Sequence, residues 1–99
     1  MEQTAQQLNQ AMDDLTALTA RTQGFEQKYG LLSADFYALY QAGQLDTGEH
    51  LRDVTLWAAS YEARLKLEET ARQLSHLRLT RLCAAAQGAI RLEPYESAA

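Results

Sequence analysis

The chain has 99 residues and a formal charge of −4 with a pI near 5.0, which allows one small domain and makes the whole a poor ligand for polyanions. Apolar residues at 46% and charged residues at 22% argue against wholesale disorder. Val54 and Ile90 are its only valine and isoleucine, so a sheet would lack its preferred residues, and Ala, Leu, Gln, Glu and Arg favour helix throughout.

One proline, Pro94, occurs near the end, so glycines divide the sequence into three helical segments and a tail. A single helical domain is expected over 1–93, helical at about 2–28, 33–42 and 47–87, with 94–99 a flexible tail. In the first segment Leu8, Met12 and Leu15 step by four and three, with Ala5 before them and Leu18 and Phe25 beside the stripe. Tyr29-Gly30 reads as its stop, because glycine adopts the left-handed conformation without a Cβ penalty. The second is short: Ser33 is a good N-cap, Asp35 lies in the first turn, and Gly43 is a C-cap glycine. Phe36, Leu39 and Tyr40 share one face.

The third segment opens at Asp46-Thr47-Gly48-Glu49, which resembles a capping box. From Glu49 to Gln87 it holds no Gly or Pro, enough for an unbroken helix of roughly 60 Å. Leu51, Val54, Ala58, Tyr61 and Leu65 form a clean stripe. Beyond it Leu67, Ala71, Leu74, Leu77, Leu82 and Ala85 continue on a rotated face, with Arg78 and Arg81 intruding. The architecture expected is all-α: a short aromatic helix and an antiparallel N-terminal helix packed on one long C-terminal helix. So long a helix exceeds a monomeric core of this size, and part of its apolar face should meet another chain.

Chemistry finds few footholds. Asp46, Glu49, His50 and Asp53 could share a helix face as divalent-metal ligands, but a cap followed by a solvated face is the simpler account. Cys83 reads as a lone buried helix cysteine. The P-loop, dinucleotide-binding and nucleophile-elbow patterns are missing, so no enzyme activity, no cofactor and no metal are expected. With a single cysteine, no apolar run of the roughly 20 residues that span a bilayer and no secretory pattern, the chain is expected to be cytoplasmic.

Binding surface remains. Phe36, Tyr37, Tyr40, Leu51, Trp57 and Tyr61 are the candidates for a combined core and interface, since helically spaced aromatics usually pack internally while Trp and Tyr are enriched at hot spots. Trp57 is offset from its stripe and is expected to widen that face. Tyr37, facing away from Phe36 and Tyr40, is the best exposed anchor. Arg72, Arg78 and Arg81 follow one another after Glu69 with no acid between them, and form a possible phosphate contact.

The run Phe25 to Tyr37, FEQKYGLLSADFY, then Tyr40-Gln41-Ala42-Gly43-Gln44-Leu45-Asp46, then Trp57-Ala58-Ala59-Ser60-Tyr61-Glu62, resembles small prokaryotic antitoxin-like proteins encoded beside a small toxin. The likeness covers about Phe25 to Glu62. It departs at Leu51 to Thr55, where the group carries acidic and aromatic residues before its tryptophan. What it implies is an antitoxin that binds a cognate toxin, of the TumE kind, by stoichiometric occlusion, with no catalytic residues. The alternatives are a homodimeric helical-bundle adaptor without a toxin, and a nucleic-acid-binding regulator working through the basic C-terminal helix.

Overall fold

The computed structural model describes residues 3–46 and 48–95. Among them the chain forms α1 (Gln3–Tyr29), α2 (Ser33–Gln41), a 3-10 turn over Gly48–His50, and α3 (Leu51–Ala85), with no strand. The fold is all-α. α1 and α3 make a long antiparallel hairpin, and α2 folds across its closed end. Polar contacts pin the antiparallel register: Lys28 to Asp53 near the closed end, Arg64 to Thr22 midway, Arg81 to Thr4 at the open end. The whole measures 60 × 29 × 19 Å.

On α1 the seam runs through Thr4, Leu8, Ala11, Leu15, Leu18, Thr22, Phe25 and Tyr29 in alternating steps of four and three, with Ala5 buried and Asn9 and Glu26 half-buried beside it. That is a period of 3.5, which keeps one seam against a partner helix along its length. Met12, expected on the stripe, lies off the seam at 45% exposure, and Ala11 takes its place. On α3 the matching seam is Asp53, Trp57, Ser60, Arg64, Leu67, Ala71, Leu74, Arg78 and Arg81. Two seam threonines therefore meet arginines: Arg64 Nη1 donates to Thr22 Oγ1 at 3.2 Å and Arg81 Nη1 to Thr4 Oγ1 at 2.8 Å. Threonine and arginine enter this interface because their polar ends are paired.

The rotated stripe on α3 now has a cause. Val54, Ala58 and Tyr61 face the α2 side, while Trp57, Ser60, Arg64, Leu67, Ala71 and Leu74 face α1. The first half of α3 packs against two helices and the second half against one. Leu51 and Leu65, expected in the first stripe, lie beyond α2 at either end and are exposed, as is Leu77 of the second.

Two of the four expected helix boundaries rest on different chemistry. α1 and α2 do end at Gly30 and Gly43, both at φ 67°, where Leu31 N–H donates to Glu26 O and Gln44 N–H to Leu39 O, closing each last turn. Ser33, however, is not the N-cap. Leu32 holds that position without a side-chain bond, and the Ser33 N–H donates to the Glu26 carboxylate of α1 at 2.9 Å. The Ser33 hydroxyl is taken by Trp57 instead. Nor does the capping box form the start of α3, whose N-cap is His50 with no side-chain cap bond, after the 3-10 turn. Thr47 of that motif lies outside the described residues, as do Glu2 and, in the expected tail, Glu96 to Ala99.

Candidate protein-binding site

The densest packing is at the closed end. Trp57, 2% exposed, lies face to face with Phe36, ring centroids 3.8 Å apart and 2° from parallel. Phe25 and Tyr29 stack on the same indole at 5.6 and 5.7 Å. A ring stacked from both α1 and α2 cannot merely widen a face; Trp57 is the centre of the core. Its Nε1–H donates to Ser33 Oγ at 2.9 Å, so the buried donor is satisfied.

Around this centre the other candidates separate. Tyr37, expected as the exposed anchor, is half-buried: it tilts against Tyr61 at 5.3 Å and donates its hydroxyl to Glu62 at 2.6 Å. That bond to a carboxylate raises the Tyr37 pKa above its usual range. The short α2 crosses α3 directly over Tyr61, which turns Tyr37 inward. Tyr61 is half-buried beneath it. Tyr40 stacks on Phe36 and Tyr37 yet remains exposed on its outer side. Leu51 is 58% exposed at the tip.

Between the end of α1, α2 and the start of α3 an open cleft of about 260 Å³ is lined by Tyr29, Leu31, Phe36, Leu45, Val54 and Trp57, with Asp46 and His50 at its rim. Its floor is apolar. One wall is fixed by an ion-pair cluster in which Lys28 Nζ lies 2.7 Å from Asp53 Oδ2 and the Tyr29 hydroxyl donates to the same oxygen. Lys28, then Tyr29, hold the Asp53 carboxyl below its ordinary range, and Asp53 in turn raises both partners. Asp53 is thus committed to holding α1 on α3. Among the described residues no group of three or more His, Cys, Asp or Glu is arranged around a metal ion. Sequence reading missed Leu31 and Leu45, which lie in connecting segments and belong to no periodic stripe.

The three arginines proposed for phosphate do not share an outward face. Arg72 pairs with Glu69, Arg81 donates to Thr4, and Arg78 is half-buried on the α1 side. Cys83 is exposed, not buried. It falls off the 3.5-residue seam of Ala71, Leu74, Arg78 and Arg81 that α3 turns toward α1. Among the described residues no helix is long and apolar enough to cross a membrane. Compared with known protein families, characterised proteins and solved structures, the chain matches none.

Proposed function

We propose that this chain is an antitoxin-like binding protein that neutralises a partner toxin by stoichiometric, helix-mediated occlusion, with the closed-end cleft as the docking point. The observation that carries the reading is the cleft itself: an apolar opening walled by the half-buried Tyr29, Leu31, Leu45 and Val54 above the buried rings of Phe36 and Trp57, with Asp46 beside them and Glu49 and Leu51 exposed nearby. Such a cleft accepts one large apolar side chain of a partner, and the acidic rim favours a partner surface rich in Lys and Arg. Phe25 to Glu62, which carry the resemblance to antitoxin-like proteins, are also the residues that build this end of the fold. A fixed floor suits an inhibitor, because a preformed surface loses little entropy on binding.

The test is co-expression with the product of the adjacent gene. Growth arrest by that product alone, relieved by this chain with co-purification of the pair, is the expected outcome. Leu51→Glu should abolish relief while leaving the helical circular dichroism unchanged, because Leu51 is exposed. A harmless neighbour that fails to associate overturns the reading.

A further inference from the structure

His50 closes the 3-10 turn, stands at the N-terminus of α3 and forms part of the cleft wall. Its ring meets Tyr29 edge-on, centroids 5.9 Å apart and planes at 81°, with Nδ1 3.4 Å from the Tyr29 hydroxyl oxygen. A phenol has one proton to give. Tyr29 gives it to Asp53 Oδ2, whose carboxyl is held low by Lys28 and then Tyr29, is ionised at neutral pH and only accepts. The Tyr29 oxygen is therefore the acceptor in the contact with His50, and Nδ1 carries the imidazole proton. Nε2 is left with a lone pair, 4.0 Å from Glu49 Oε1. The charged and titratable groups around this ring and the cleft are Lys28 and Tyr29 on α1, Asp53 on α3, and Asp46 and Glu49 in the connecting segment; the α2 residue in the cleft wall is Phe36. Arg52, two residues along α3, is exposed.

We infer that His50 makes the cleft's hold on a cationic partner depend on pH. With the imidazole neutral, Asp46 and Glu49 are both available to the Lys and Arg of that partner. When Nε2 takes up a proton, Nδ1 keeps its bond to Tyr29 and the ring becomes a cation between Glu49 and Asp53. Its Nε2–H then pairs with Glu49, which withdraws one carboxylate from the partner, and its charge repels the partner's cations. Asp53 is lowered from 3.8, Lys28 raised from 10.5 and Tyr29 raised from 10.0, so none of the three changes charge in the range where imidazoles take up a proton. The imidazole is the member of this cluster that does.

The inference rests on the cleft as the docking point for a partner rich in Lys and Arg, but its first test uses the chain alone. Long-range nitrogen–proton correlation spectra of the isotope-labelled protein at about pH 8 should place the His50 proton on Nδ1, and Tyr29→Phe should release it to Nε2. A proton on Nε2 in the unaltered chain overturns the inference whatever the partner does. The second test uses the complex with the product of the adjacent gene. Its affinity should fall about three- to tenfold between about pH 8 and about pH 5.5, through the one added charge. His50→Gln, neutral at both, should lose that fall, and the difference between the two chains cancels titration of the partner's own groups. Equal falls overturn the inference and leave the docking reading standing; a neighbour that associates at neither pH overturns both.

Discussion

An indole N–H carried into a core has to find an acceptor, and Trp57 finds Ser33 Oγ. With Ser33 diverted to that bond, its own backbone N–H is accepted by Glu26, so one residue ties α2 to both long helices. Ser33→Ala should leave the Trp57 donor buried without a partner and cost about 1–3 kcal/mol in urea unfolding. Trp57→Ala removes the ring on which Phe25, Tyr29 and Phe36 stack, and should cost about 3–5 kcal/mol. Loss of partner binding in that variant would report unfolding, which is why the exposed Leu51 is the better interface probe.

The Asp53 cluster sets the pH response at the same scale. Lys28 and Tyr29 lower the Asp53 pKa from 3.8, so its contribution to stability is complete above that value and is lost as pH falls through the lower folded pKa. Glu26, lowered from 4.5 chiefly by the Ser33 N–H, acts in the same direction. Lys28 is raised from 10.5 and Tyr29 from 10.0, so their contributions are full below those values and are lost as pH rises through the higher folded ones. The thermal unfolding midpoint should therefore fall below about pH 4 and above about pH 10. Asp53→Asn should flatten the alkaline limb and reduce the acid one; an unchanged alkaline limb would show that the cluster does not hold α1 to α3.

At the scale of the element, two glycines of the closed-end region have opposite roles. Gly30 takes φ 67° to end α1, and Gly30→Ala should destabilise by about 1 kcal/mol because a Cβ strains that backbone. Gly24 lies within α1 with nothing near where a Cβ would project, so Gly24→Ala should stabilise by about 0.5–1 kcal/mol. Urea midpoints moving in the same direction for both would contradict this assignment. α3 shows how an element can carry two stripes: its apolar period shifts where α2 ceases to cover it, and Arg78 and Arg81 fall on the α1-facing seam, Arg81 with its guanidinium on Thr4.

For the whole molecule, packing is uneven. Rings from all three helices converge at the closed end, while the open end is a two-helix seam held by Leu67, Ala71 and Leu74 with paired polar groups. A two-helix seam has no third layer to exclude water, so its amides should exchange faster than those near Trp57. Uniform protection along α3 would contradict this unevenness.

Helix content, the stops at Gly30 and Gly43, and the aromatic grouping of Phe36, Trp57 and Tyr61 were written in the sequence alone, because periodicity and glycine conformation act over a few neighbouring residues. What only the tertiary structure decided was direction. Tyr37 turned inward because α2 crosses Tyr61; Trp57 became the centre because rings from α1 and α2 both reach it; Ser33 left its cap because a buried indole required its oxygen. Met12 left the seam because two antiparallel helices meet at a 3.5 repeat, on which Ala11 falls. Each of these depends on a partner group from a distant part of the chain, and local spacing carries no record of which helix will arrive.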